Sequence, residues 1–204
     1  MSGLALARLA AQVLCIGWAA SVPTPRVVHR YLMAQFMASV IGEAVLAKVE
    51  DITNELYAIV FIALSLVVYA TMLGIMREAI RKHPARLLAV CVGAAVAMLT
   101  VSSVVLNRNL GLFDWMATID AAVLIFMAVC SGLGAAHHTP QWQRISLTLM
   151  AFWLAQAVFE LGLTMHLWNS YWMRTNEWLP AILVCSGCAW LARISRLKGR
   201  KAEA

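Results

Sequence analysis

The chain has 204 residues, 62% of them hydrophobic and only 13% charged, with a formal net charge of +6. Soluble domains average about 45–50% apolar and about 25% charged residues, so a soluble globular monomer could not cover its surface with this set. A disordered chain is excluded because apolar residues run throughout. An integral membrane protein remains.

A spanning helix takes about 20 apolar residues. Seven apolar segments can be read, over roughly 4–22, 31–47, 56–76, 87–106, 115–136, 145–165 and 178–194. The intervals carry proline, asparagine and charge, as loops do. Strands of a membrane barrel would be about ten residues long and alternate in polarity. These segments are about twice that length and apolar on all sides, so they predict helices. The expected fold is all-α and polytopic: one domain over residues 1–204 with seven transmembrane helices and a basic cytoplasmic tail at 195–204.

Lysine and arginine mark cytoplasmic loops. Arg26 and Arg30 follow the first segment. Arg77, Arg81, Lys82 and Arg86 follow the third, Arg144 follows the fifth, and Arg193, Arg196, Lys198, Arg200 and Lys201 close the chain. These regions alternate to one side and hold twelve of the sixteen basic residues. The other side holds Arg8, Lys48, Arg108 and Arg174, with acids at Glu50, Asp51, Glu55, Asp114 and Glu177. The expectation is N-terminus outside and C-terminus inside, in a bacterial cytoplasmic (inner) membrane. Ala19-Ala20-Ser21 resembles a signal-peptidase site. Cleavage there would put the basic loops outside, so the first helix is expected to be retained.

Tyr57, Phe113, Trp115, Trp168, Tyr171, Trp172 and Trp178 gather near the outer side, as an interfacial aromatic belt does. Small residues recur at four-residue spacing in Ala89-Gly93-Ala97, Ala128-Gly132-Ala136 and Ala181-Cys185-Ala189. Such stripes let helix backbones approach.

Four ionisable residues enter the apolar segments: Arg8, Glu43, Asp120 and Glu160. Each costs about 2.5–3.5 kcal/mol at a helix centre on insertion scales. Counted from the outer ends of their segments, all four fall in the outer third of the bilayer. Gln12 and Gln156 lie one turn deeper, and His166 lies just above. One reading is an outward-facing polar pocket for a small cationic or zwitterionic ligand, or for a cation. The other is helix–helix glue, with Arg8 pairing one acid and the others snorkelling or protonated.

Other chemistry finds little support. His29, His83, His137 and His138 fall in cytoplasmic loops, outside the spans where a bis-histidine haem would need them. They are expected to be exposed, with no metal-ligand spacing. All five cysteines, Cys15, Cys91, Cys130, Cys185 and Cys188, fall in apolar segments and read as small buried residues. Cys185-Ser-Gly-Cys188 is a C-x-x-C remote from both water phases, where thiolate chemistry lacks access. No hydrolase elbow, zinc-protease pair or phosphate loop occurs, and the seventh segment has no lysine for a retinal Schiff base. No cofactor and no nucleic-acid binding are expected, and no enzyme activity is indicated.

Helix 1 matches helix 5 at an offset of 115: Cys15 with Cys130, Gly17 with Gly132, Ala20 with Ala135, and Thr24-Pro25 with Thr139-Pro140. Helices 2 and 6 then correspond, each with an acid near its outer end, in a 3+1+3 plan known among small transporters. Pro140-Gln141 resembles the PQ-loop and SWEET-type transporters, which implies seven helices and an outside N-terminus. The first half departs from that pattern with Pro25-Arg26. The stretches Tyr57–Pro84 and Ala151–Leu163 also resemble uncharacterised bacterial seven-helix membrane proteins, which implies a fold and a compartment but no activity. The functional expectation is a non-enzymatic sensory, ligand-binding or accessory membrane protein. The rivals are a small-solute transporter and a structural or assembly subunit. Expected partners are the lipid bilayer, the outer ligand, and anionic lipid at the basic tail.

Overall fold

A computed structural model describes residues 3–48, 54–105, 112–164 and 178–196. These form seven helices: α1 (Gly3–Ser21), α2 (Arg26–Lys48), α3 (Asn54–Ile80), α4 (Arg86–Val105), α5 (Leu112–Ala135), α6 (Pro140–Thr164) and α7 (Trp178–Ser195). No strand occurs among the described residues.

Three helices run past their apolar segments. α2 and α6 each begin five residues early, and α3 continues four residues beyond 76. Hydropathy reports where lipid contact ends, whereas the helix ends where backbone hydrogen bonding stops. Polar turns such as Gln141–Arg144 therefore remain helical. Pro140 occupies the first position of α6, where the missing N–H costs nothing. Arg77 lies in the last turn of α3, where the helix dipole favours a cation.

Among the described residues, five helices are long and apolar enough to cross a membrane: Ile62–Ile80, Arg86–Val105, Asp114–Ala135, Pro140–Gly162 and Trp178–Ser195. α1 adds a shorter apolar stretch, Leu6–Ser21. Polarity is inverted relative to a soluble protein. Leu14, Leu87, Met98 and Leu99 are each at least 70% exposed, while Arg8, Gln12, Gln35, Thr118 and Ser131 are buried. Water would not tolerate that much outward apolar surface; lipid does.

Packing divides the chain into two compact units. The first comprises α1, α2, α3 up to Thr71, and α7 from Cys188. Ile16, Val28, Tyr31 and Leu32 are fully buried there. The buried Gln35 amide donates to the Tyr31 hydroxyl at 3.1 Å, one turn along α2. The second unit comprises α3 from Met72, then α4, α5, α6, and α7 up to Gly187. Met72, Ile75, Cys130, Ile145, Leu149 and Trp153 anchor its interior, each at most 1% exposed.

The small-residue stripes act where the second unit is tightest. Ala89 and Gly93 of α4 lie against α5, and the Cys130 thiol donates to the Ala89 carbonyl at 3.6 Å. A Cβ on Gly93 would stand 3.1 Å from the Phe126 ring and 3.3 Å from the Phe126 carbonyl oxygen. Gly134, near the end of α5, sits directly on the backbone of Ala79. Not every cysteine is buried, contrary to expectation. Cys130 and Cys188 are, but Cys15 and Cys185 are half-buried and Cys91 is exposed. Cys91 lies on α4, whose apolar window is only 17% buried within the protein. No disulfide forms among them.

A glycine pair tests this packing. Gly134→Ala forces a Cβ into the Ala79 carbonyl and is expected to destabilise by about 1–3 kcal/mol. Gly74→Ala has nothing within 4 Å to meet and should instead stabilise by about 0.5–1 kcal/mol through helix propensity. Thermal unfolding of detergent-solubilised protein reads both, and equal midpoints would refute the close approach.

Candidate acidic site on the α5–α6 hairpin

α5 and α6 are joined by only residues 136–139 and run antiparallel. Two contacts set their register. The Ser131 hydroxyl donates to the Ser146 carbonyl at 3.3 Å, with both serines buried. Gly132 leaves room for the Met150 side chain.

Asp120 lies on the stripe of Leu124, Met127 and Ser131 along α5, by the i, i+4, i+7, i+11 spacing. Glu160 lies on the stripe of Ser146, Leu149, Trp153 and Ala157 along α6. At 1.5 Å per residue, the serine contact places Asp120 about 16 Å and Glu160 about 21 Å toward the same end. The glycine–methionine contact gives about 18 Å and about 15 Å. The two acids therefore share one level to within a turn. Both are half-buried. Gln156 is half-buried one turn from Glu160.

The surroundings sharpen the site. Between residues 112 and 164 the one basic residue is Arg144, near the other end of the hairpin. The acid end carries Asp114, Asp120 and Glu160, and Arg108 and Arg174 belong to the flanking connections, outside the described residues. Thr118, fully buried, turns its hydroxyl back to the Asp114 carbonyl at 2.7 Å. Two carboxyl groups at one level in an apolar segment repel when both are ionised, so a proton or a cation lying with them relieves the repulsion.

The remaining candidates are distributed elsewhere. Arg8 and Gln12 are buried one turn apart on α1, in the first unit. Glu43 belongs to α2, and its side chain lies outside the described residues, as does all of His166. The expected site residues thus divide between the units, with Arg8, Gln12 and Glu43 in the first and Asp120, Gln156 and Glu160 in the second. No group of three or more histidine, cysteine or acidic side chains able to hold a metal occurs among the described residues.

The other end of the same unit holds contacts that were not legible in the sequence. His138 is half-buried rather than exposed, and its Nε2 lies 2.8 Å from the Glu78 carbonyl near the end of α3. A carbonyl only accepts, so Nε2 carries the proton; Nδ1 is buried without a partner. The rings of His83 and His137 meet edge to face at 4.4 Å. His83 Nδ1 accepts from the Ala85 N–H at 3.0 Å. Trp142 lies beside His138 at 5.8 Å between ring centres. The only sequence signal was that histidines occur in both loops.

The offset of 115 also has a structural counterpart. Gly17 faces Phe36 across α1 and α2, 3.2 Å from an ideal Cβ. Its equivalent Gly132 faces Met150 across α5 and α6. Phe36 maps to Ala151, the immediate neighbour of Met150. Each unit therefore contains a glycine-seated hairpin with a four-residue connection ending in, or followed by, proline.

Comparison with protein-family models, with curated proteins and with solved structures finds no match.

The acid pair makes a direct prediction. Asp120→Asn and Glu160→Gln each remove the same repulsion, so either alone should capture most of the gain in stability. The double change should add little more, a non-additivity of about 1 kcal/mol. A double-mutant cycle by thermal unfolding measures it, and simple additivity would mean the carboxylates do not interact.

Proposed function

We propose that the protein is a non-enzymatic membrane protein that binds a small cationic or zwitterionic ligand, or a cation, from the outer side. It spans a bacterial cytoplasmic membrane seven times, with its N-terminus outside and its C-terminus inside. Asp120 and Glu160 supply the negative charge, and Gln156 supplies a neutral polar group one turn deeper. The observation that carries this reading is that two carboxyl side chains, Asp120 and Glu160, lie at one level of the α5–α6 hairpin, in the register set by Ser131–Ser146 and Gly132–Met150. An acid pair costs insertion energy and weakens packing by repulsion. Helix glue alone would be better served by an acid and a base. A ligand cation offsets the repulsion and so gains differential affinity for the arrangement that holds the acids together.

Arg8, Gln12, Glu43 and His166 belong to the same outer level by sequence position and extend the set of residues to substitute. A second reading, a small-solute transporter built from two three-helix repeats, is supported by one observation: Gly17 and Gly132, equivalent at the offset of 115, each seat a side chain of the next helix, Phe36 and Met150, one position out of register.

Thermal unfolding of the full chain in dodecyl maltoside tests binding, with sodium or tetramethylammonium chloride against the bulky N-methylglucamine salt. A rise of several degrees with one small cation is expected in the wild type and should vanish in D120N/E160Q. No difference among the salts, or a rise that survives the double change, would overturn the reading. Uptake of that cation into proteoliposomes would select transport over binding. Orientation is read by C-terminal fusions: green fluorescent protein should fluoresce and alkaline phosphatase should be inactive.

A further inference from the structure

We propose that the loop pair at the basic end of the second unit, residues 81–86 and 136–144, is a binding site for the phosphate headgroup of an anionic phospholipid. It is a discrete site, separate from the basic tail, and does not depend on what the acid pair binds.

Charge is the first observation. Arg77, Arg81, Lys82, Arg86 and Arg144 face a single acid in these two regions, Glu78. Arg81 engages Glu78 at 3.1 Å, which neutralises that acid. Lys82, Arg86 and Arg144 are exposed, so their charged heads are available to an anion. Arginine pairs with phosphate oxygens through two parallel N–H donors, and lysine adds a point charge.

Preorganisation is the second. The loops are far apart in sequence, yet one contact joins them directly and a second ties residues 136–144 to the end of α3. His83 and His137 meet at 4.4 Å, and His138 donates to the Glu78 carbonyl at 2.8 Å. Cations from both loops are thus held in one place before a ligand arrives, which lowers the ordering cost of binding.

The third observation selects lipid over a soluble anion. Arg86 is followed directly by Leu87 and Leu88, 75% and 63% exposed, and Leu147, one turn beyond Arg144, is 43% exposed. Cationic heads therefore sit at the margin of outward apolar surface, which accepts acyl chains. Trp142, half-buried beside His138, occupies the level where indole rings anchor at headgroups. A free phosphate would use the cations and leave the leucines unused.

The test is thermal unfolding of the full chain in dodecyl maltoside with added phosphatidylglycerol, phosphatidylcholine or inorganic phosphate. Phosphatidylglycerol should raise the midpoint several degrees more than phosphatidylcholine does. The R81Q/K82Q/R86Q/R144Q variant should lose at least half of that difference, and the tail variant K198Q/R200Q/K201Q should keep it. His137→Ala keeps every cation but cuts one tie, and should reduce the difference. The proposal is overturned if the fourfold loop variant keeps the full difference, if the tail variant loses it instead, or if inorganic phosphate reproduces it. Should the fourfold variant not fold, R86Q and R144Q are measured singly. A lowered difference in either supports the site, and an unchanged difference in both overturns it.

Discussion

A peptide group without a hydrogen-bond partner costs several kcal/mol in hydrocarbon, on the order of a whole side-chain contact. Every other feature of this protein depends on that constraint. It makes each apolar segment satisfy its own backbone, so all seven described elements are helices. It also frees the outer surfaces to be apolar, which is why leucines and methionines point outward while Gln12, Thr118 and Ser131 are buried. Polar connections leave the membrane quickly, and the α1–α2 and α5–α6 hairpins close in four residues each.

Once helices are made, lipid offers no hydrophobic force to press them together, since acyl chains are as apolar as leucine. Association then rests on close van der Waals approach and a few hydrogen bonds. The second unit uses both. Gly93 and Gly134 let α5 reach Phe126-side packing with α4 and the backbone of α3, respectively. Cys130 to Ala89 and Ser131 to Ser146 add hydrogen bonds to buried carbonyls. The His138–Glu78 contact does the same at the helix ends.

That economy makes the charges conspicuous. Along the α5–α6 hairpin, acids occupy one end and Arg144 the other. Around Arg144 the neighbouring loop adds four more cations, and two histidine contacts tie residues 136–144 to that loop and to the end of α3. The hairpin therefore carries acids at one end and a base at the other. Neither end needs the other, because about 20 Å of uncharged helix separates them at 1.5 Å per residue.

The sequence by itself determined the helical class, the apolar nature of the surface, and which residues carry charge into the apolar segments. These follow from local composition and period, which each segment obeys alone. It also located the small residues, of which Ala89, Gly93 and Gly132 take the packing role expected. Helix ends were less legible at α2, α3 and α6, because hydropathy stops at the lipid edge and hydrogen bonding does not. Counting along the segments already put Asp120 and Glu160 at one depth; only the tertiary structure decided that their helices pack together, in the register set by Ser131–Ser146 and Gly132–Met150. The histidine contacts were equally invisible: they join residues up to 60 positions apart, and no periodic signal records which loops a bundle brings side by side. Composition acts residue by residue, whereas proximity is a property of packing.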